Sequence, residues 1–246
     1  MSLTGGTKEQ VGEEQYSLSK RGAYNYAHRD IWGPREWSMA NLWSTENPDG
    51  LVSLLLAENN ILRHEISMFI KEQIDVIPDN HLTYGIGPRG SRRLRTAAAA
   101  FVNDEFRAVE KVTTDNIIVT PGVNSAIESL VWAICNPGDG VLIPRPLYNG
   151  FSIDILNRNE THLVGVSYTE IEGYCGLDDL FKPDVNRLAL EASLREAEEA
   201  NIKIRALLIS NPHNPLGRCY PTETLEEFMS FCNRHGLHFV SDEIYA

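Results

Sequence analysis

The second half of the chain, from residue 116 to residue 246, alternates short apolar runs with helical patterns, and this alternation constrains the fold more than any other feature. Each run is rich in β-branched and other apolar residues and is bounded by turn residues, which is typical of a buried strand. The predicted strands are residues 116–120, 140–145, 162–168, 205–210 and 237–241. Strands that alternate with helices pair in parallel. The sequence therefore predicts an α/β fold, a mainly parallel sheet with helices on both faces.

Three segments between these strands carry helical signals. After Pro121-Gly122, apolar residues recur at helical spacing from residue 123 to residue 134 and form one stripe. A second helix, rich in Leu, Ala and Glu, is expected over residues 186–200. Thr224 and Glu227 fit a capping box at the start of a third helix, and Gly236 is placed to end it.

Composition excludes several classes of function. The formal net charge is -12, from 22 basic and 34 acidic side chains, and no basic run offsets it, so a nucleic-acid partner is not expected. The 4 cysteines show no CxxC spacing, which argues against a metal site. The polar N-terminus has no apolar signal core, and no apolar stretch is long enough to span a bilayer. A cytoplasmic protein without a membrane partner is expected.

Three polar segments directly follow predicted strands: residues 122–125, 211–217 and 242–245. Ligands of open α/β sheets bind beyond the carboxyl ends of the strands, so these segments are expected at one edge of one sheet. The first begins a helix, whose free backbone N–H groups suit a phosphate, although an ordinary capped helix is the alternative. The second is a rigid turn, which can hold an Asn amide in place for a ligand; the alternative is that the turn has only a structural role.

Asp242 and Tyr245 carry the chemistry of the third segment. An Asp at the end of a buried strand is costly unless it meets a cation or good hydrogen-bond donors, and a protonated pyridine nitrogen would serve. The alternative is that Asp242 caps the next helix. Tyr245 either donates to a ring hydroxyl or packs with its OH in water.

These segments, taken in order, resemble a known family. NPHNPLG at 211–217 and DEIYA at 242–246 are similar to the cofactor-binding core of fold-type-I pyridoxal 5′-phosphate (PLP) enzymes of the aminotransferase class I/II family. The resemblance includes TPGVNSAIE at 120–128, PRPLYNGF at 144–151 and the Tyr-Gly-Leu-Arg segment at 83–101. NPDGLVSLLLAEN at 47–59 resembles the entry segment of 1-aminocyclopropane-1-carboxylate (ACC) synthases, although TYGIGPRG departs from their form. The resemblance covers residues 30–246.

The resemblance implies a role for each site residue. The backbone at Gly122, Val123 and Asn124 would bind the cofactor phosphate, and Tyr148 would stack on the pyridine ring. Asn214 and Tyr245 would hydrogen-bond the ring hydroxyl, and Asp242 would keep the ring nitrogen protonated. Tyr84 would reach the phosphate of a neighbouring subunit's cofactor, which implies a homodimer. Glu58 stands where ACC synthases carry a glutamate near the substrate, with a solvated surface charge as the alternative.

The resemblance also implies a domain organisation. Residues 1–20 are expected to form a flexible arm, residues 21–80 part of a small domain with the entry to the site, and residues 81–246 the PLP-binding large domain, incomplete at its C-terminus. The family's Schiff-base lysine would lie beyond Ala246, so no catalytic residue is assigned and normal turnover is not expected of this chain.

The sequence is compatible with several functions. The first is a transaminase acting on an α-amino acid and a 2-oxo acid, with an ACC-synthase-like lyase as its close alternative. A truncated, non-catalytic paralogue or dimer partner is the second. A nicotinamide dehydrogenase is disfavoured because the GxGxxG string at 85–90 follows IPDNHLTY, which lacks the pattern of a buried strand.

Overall fold

The computed structural model describes residues 13–27, 33–53, 61–73, 79–84 and 87–246. The chain divides into two compact units, residues 1–119 (the N-terminal unit) and residues 120–246 (the C-terminal unit). In the described part of the N-terminal unit, residues 13–16 are helical, and four further helices follow: α1 (Lys20–Ala27), α2 (Gly33–Ala40), α3 (Arg63–Gln73) and α4 (Arg92–Glu105). Short 3-10 turns lie at Asp79–Leu82, before α4, and at Thr114–Asn116, after it.

The C-terminal unit is built on a four-stranded parallel sheet. Its strands are β1 (Gly140–Pro144), β2 (His162–Val166), β3 (Ile204–Ser210) and β4 (His238–Asp242), in the order β2-β1-β3-β4. The helices of this unit are α5 (Val123–Ile134), α6 (Gly150–Asn159), α7 (Pro183–Glu199) and α8 (Thr222–His235), with a 3-10 turn at Leu177–Phe181. Among the residues described, no helix is both long enough and apolar enough to cross a membrane.

The sheet is covered by helices on both faces, as the sequence predicts. On one face, α5 and α6 pack against alternate strand residues, and this core contains Ile127, Val131, Val141, Ile143, Phe151, Ile155, Ala206 and Leu208. On the other face, α7 and α8 pack against the intervening residues, among them Leu142, Leu207 and Ile209. Successive side chains of a strand point to opposite faces, so the near-continuous apolar sequence of β3 fills both cores at once.

One predicted strand is absent. Residues 116–120 form no strand in the structure: a 3-10 turn ends at Asn116, and residues 117–120 have no regular secondary structure. Val119 N–H donates to the Arg89 carbonyl at 3.1 Å, and Ile118 is 66% exposed. A β-rich run becomes a strand only where a neighbouring backbone pairs with it, and in the described residues none of the four strands does so.

The predicted capping box at Thr224 is also wrong. Helix α8 begins at Thr222, so Thr224 lies inside its first turn. Its side chain is fully buried, and the hydroxyl donates to the Phe181 carbonyl at 2.6 Å. The hydroxyl therefore joins α8 to the Leu177–Phe181 turn instead of capping the helix. Gly236 does end α8, with φ of 64°.

Candidate functional site

The carboxyl edge of the sheet gathers the polar segments of the C-terminal unit. Parallel strands end at the same edge, and β1, β3 and β4 end there at Pro144, Ser210 and Asp242. Ser210 lies opposite Asp242 in the register of β3 and β4. Asn211 N–H donates to the Asp242 carbonyl at 2.8 Å, which extends the pairing one residue into the following turn. The turn at 211–217 and the segment at 242–245 therefore start side by side.

The turn at 211–217 is fixed by its own hydrogen bonds. Tyr220 N–H donates to Asn211 Oδ1 at 2.9 Å, and His213 N–H donates to the Arg218 carbonyl at 2.7 Å. The Asn214 backbone N–H donates to Ser210 Oγ at 3.0 Å. These contacts hold the Asn214 backbone while its side-chain amide stays available to a ligand.

The side chains of Asn214 and Tyr245 meet at this edge. Asn214 Nδ2 lies 3.5 Å from the Tyr245 hydroxyl, at the limit of a hydrogen bond. Tyr245 is 48% exposed. Both groups can donate a hydrogen bond. Because they lie close together on adjacent loops, both can reach a single oxygen atom of a ligand.

Asp242 is a half-buried carboxylate without a cationic partner in the described part of the chain. Burial raises its pKa, while the Ile244 N–H, which donates to Asp242 Oδ1 at 3.2 Å, lowers it and the nearby Glu243 raises it. A carboxylate in this condition favours a bound cation, because the cation repays the cost of removing the charge from water.

The start of α5 offers backbone donors at the Gly122–Ser125 segment. Gly122 precedes the helix with φ of 87° and ψ of 169°, a conformation that glycine adopts at little cost. No side chain caps this helix end. The Thr120 and Ser125 hydroxyls both donate to backbone carbonyls, of Gly122 at 3.0 Å and of Pro121 at 3.2 Å. The N–H groups of Val123 and Asn124 are therefore placed for an anion at the positive end of the helix dipole.

Tyr148 lies in the segment that follows β1. Its ring contacts Phe151 edge to face, with ring centroids 5.4 Å apart and planes at 89°. Phe151 is fully buried, whereas Tyr148 is 37% exposed, so the contact fixes the tyrosine ring and leaves part of it free. An aromatic ring held in this way can stack on a flat ligand.

Two predicted site residues do not belong to the described part of the C-terminal unit. Tyr84 belongs to the N-terminal unit and is fully exposed. Glu58 lies outside the described residues, and so do Gly85 and Ile86 of the GxGxxG string.

Neither lysine of the C-terminal unit pairs with Asp242. Lys182 Nζ pairs with Asp179 Oδ1 at 2.6 Å, just before α7. Lys203 directly precedes β3 and is therefore at the opposite, amino edge of the sheet. Lys182 is therefore held by Asp179 beside Phe181, which packs in the core on the α7 and α8 face of the sheet.

Sequence reasoning missed three residues that shape this edge. Ser210 holds the Asn214 backbone, and Gly150 admits the Tyr148 ring, whose Cε1 would lie 2.3 Å from a Cβ at that position. Asp154 is a buried carboxyl on α6. Its signal in the sequence is an Asp within the apolar stripe that Phe151 and Ile155 form at helical spacing.

Known proteins resemble this chain in sequence and in fold. Residues 53–246 match the family model described as aminotransferase class I and II. The chain is 35% identical over 231 residues to the protein named "Probable aminotransferase aclI" of Aspergillus oryzae, a match covering 93% of this chain and 51% of that protein. It is 33% identical over 211 residues to 1-aminocyclopropane-1-carboxylate synthase 6 of Arabidopsis thaliana, covering 82% of this chain and 40% of that protein.

Among solved structures, an aspartate aminotransferase from Thermus thermophilus has a TM-score of 0.58 at 23% identity, covering 99% of this chain and 54% of that one. At this identity the likeness shows a shared fold, and it confirms the predicted α/β class. The chain spans about half the length of the curated relatives it matches.

Proposed function

We propose that this chain holds PLP at the carboxyl edge of the C-terminal unit. The premise is that the chain belongs to the aminotransferase class I and II family, which is PLP dependent. The observation that carries the proposal is the half-buried Asp242 carboxylate, which has no cationic partner in the described residues and lies on the edge where Asn214 and Tyr245 converge. The whole protein is proposed to transfer an amino group between an α-amino acid and a 2-oxo acid.

The residues present fit the chemical groups of PLP. The uncapped start of α5, with Gly122, Val123 and Asn124, would hold the phosphate through backbone N–H groups. Tyr148 would stack on the pyridine ring. The exposed donors of Asn214 and Tyr245 would hold the ring hydroxyl, which needs two donors converging on one oxygen.

Asp242 would hold the proton on the ring nitrogen. A carboxylate at hydrogen-bond distance from a protonated nitrogen keeps that nitrogen charged, and the pairing is strong where water is partly excluded. When bound, PLP supplies an electron sink for the bonds at the amino acid's α-carbon, and the protonated nitrogen deepens that sink. The chain's own contribution is to bind PLP, to orient its ring and to keep this proton in place.

Residues outside this edge complete the proposal. Tyr84 is proposed to reach the phosphate at the partner subunit's site in a homodimer, consistent with its full exposure. Glu58 is proposed to lie near the substrate. The segment around residues 47–59 and the 33% identity to an ACC synthase favour an ACC-synthase-like lyase as the second candidate function.

A binding measurement tests the cofactor proposal. PLP is titrated into the protein while the quenching of tryptophan and tyrosine fluorescence gives Kd. Asp242→Asn keeps the shape of the side chain but loses its charge, so we expect Kd to rise about tenfold or more. The control is Asp184→Asn, at an exposed carboxylate of α7 that pairs with Arg187, and it should leave Kd unchanged. Equal affinity in wild type and Asp242→Asn would overturn the proposal.

A second measurement separates the catalytic and non-catalytic alternatives. The protein is incubated with PLP, reduced with borohydride and mapped by mass spectrometry. Because Lys182 is held in an ion pair with Asp179 and Lys203 lies at the opposite, amino edge of the sheet, we expect no single modified lysine in the C-terminal unit. A single, stoichiometrically modified lysine would instead support amino transfer by this chain alone.

A further inference from the structure

Helix α6 carries a buried carboxyl that the proposed cofactor contacts do not use. Phe151, Asp154 and Ile155 are spaced three and four residues apart and therefore share one face of α6. Phe151 and Ile155 pack in the core between this helix and the sheet. Asp154 is only 6% exposed, and its Oδ2 atom is buried without a hydrogen-bond partner. Burying a carboxyl without a hydrogen-bond partner is unfavourable in free energy unless another interaction offsets that cost.

Asp242 belongs to the same face of the sheet. Val240 packs against the core that contains Phe151 and Ile155, and side chains two residues apart on a strand share a face. Asp242, at the carboxyl end of β4, therefore lies on the side that α6 covers. The charge of Asp242 affects Asp154: burial first, and then the negative charges of Asp242 and Glu128, together raise the pKa of Asp154 to about 6.

The charges of Asp154 and Asp242 themselves are not neutralised by the described residues. Glu128 is paired, since Arg158 Nε lies 3.0 Å from its Oε1. No described Lys, Arg or His forms an ion pair with Asp154 or Asp242. Asp242 accepts a hydrogen bond from Ile244 N–H, which is a neutral donor. The pair is thus arranged to attract one positive charge at the accessible carboxyl, Asp242.

We propose that Asp154 is a positioning residue for the cofactor. Its buried negative charge acts through Asp242 and helps that residue to hold the proton on the ring nitrogen of PLP. The inference rests on the proposed function. A cation at Asp242 makes ionisation of both carboxyls favourable, and each ionised carboxyl in turn favours the cation. Because Asp154 is buried, it is expected to act by its charge and not by direct contact with the cofactor.

The first arm of the test needs no cofactor. The carboxyl carbons of the aspartates are followed by NMR as the pH is changed, in wild type and in Asp242→Asn. Removing the charge at residue 242 should lower the pKa of Asp154, because a like charge close by has been removed. An Asp154 titration that is the same in both proteins would overturn the inference, whatever the cofactor does.

The second arm compares two ligands. PLP and its 1-deaza analogue, which has carbon in place of the ring nitrogen, are titrated into wild type and Asp154→Asn. We expect Asp154→Asn to lower the affinity for PLP about tenfold, the equivalent of one pKa unit at the ring nitrogen, and to leave the affinity for the analogue unchanged. An equal loss for both ligands would show a merely structural role and overturn the inference.

A matched control and a distinguishing outcome complete the design. Asp139→Asn alters another buried carboxyl, which accepts a hydrogen bond from Asn136 N–H at 2.8 Å just before β1, and it should change the affinity for neither ligand. If wild type binds PLP no better than the analogue, the proposed function fails and the inference fails with it. If wild type prefers PLP and Asp154→Asn keeps the full preference, the inference alone fails.

Discussion

At the scale of single residues, Gly150 permits a close approach between the first turn of α6 and the ring of Tyr148. A Cβ at Gly150 would lie 2.3 Å from Tyr148 Cε1 and 2.7 Å from its hydroxyl, so Gly150→Ala must displace the ring. The tyrosine is half-exposed and can turn away. We therefore expect the free energy of unfolding to change by no more than about 0.5 kcal/mol.

The affinity for PLP should nevertheless fall about fivefold in Gly150→Ala, since the displaced ring loses an aromatic stack. Urea unfolding and a PLP titration of the same preparation give the two quantities. Unchanged affinity together with a displaced tyrosine ring would contradict the stacking role of Tyr148.

Asn214 and Tyr245 are predicted to act on one oxygen. Both side chains are accessible, so Asn214→Ala and Tyr245→Phe should leave stability nearly unchanged and each should weaken PLP binding about fivefold, the size of one neutral hydrogen bond. A double-mutant cycle measures their coupling. If the two donors share one acceptor, the double variant should depart from the sum of the single effects, whereas strict additivity would argue for separate acceptors.

At the scale of elements, Thr224 ties α8 to the 3-10 turn at Leu177–Phe181. Its hydroxyl donates to the Phe181 carbonyl at 2.6 Å in a fully buried position. Thr224→Val keeps the volume but leaves that carbonyl unsatisfied, so we expect a loss of about 1–3 kcal/mol in the free energy of unfolding. Thr222→Val, at an exposed position of the same helix, is the control and should change it by less than about 0.5 kcal/mol. Equal urea midpoints for the two variants would refute the assignment.

At the scale of the whole molecule, Asp154 makes stability depend on pH. Its pKa is raised from 3.8 to about 6, so between these values the folded state binds more protons than the unfolded state. The free energy of unfolding therefore falls by a total on the order of 2–3 kcal/mol as pH rises through this window, and it levels off at higher pH. The difference between wild type and Asp154→Asn isolates this contribution from those of other acids. A difference that stays flat from pH 4 to pH 7 would contradict it.

The proposed homodimer makes a prediction about mixed chains. If Tyr84 serves the partner's site, Tyr84→Ala and Asp242→Ala each impair every site in their own homodimers. A heterodimer of the two variants contains one site with both wild-type residues. After refolding an equal mixture, about a quarter of all sites should recover wild-type affinity for PLP, which a titration of the mixture measures. No recovery in a mixture shown to contain heterodimers would place Tyr84 outside the partner's site.

The sequence by itself determined the sheet-forming runs, the helical stripes between them and the polar segments at the strand ends. Strands β1, β3 and β4 follow from apolar runs bounded by turn residues, and the Asn214 and Asp242 segments follow from turn chemistry directly after β3 and at the end of β4. These signals are local, because side-chain periodicity and backbone preference act over a few residues. Parallel pairing then brings the segments at Asn214 and Asp242 to one edge, which is why that part of the candidate site could be predicted.

The tertiary structure alone decided what depends on partners distant in sequence. Residues 116–120 have the composition of a strand but no neighbouring strand to pair with, and Thr224 matches a capping pattern but bonds to Phe181, 43 positions away. The burial of Asp154 near Asp242 and the approach of Tyr148 to Gly150 arise where α6 packs on the sheet and where the chain turns after β1. Burial, pairing and electrostatic coupling are properties of surfaces brought together by folding, and no local pattern encodes which surfaces will meet.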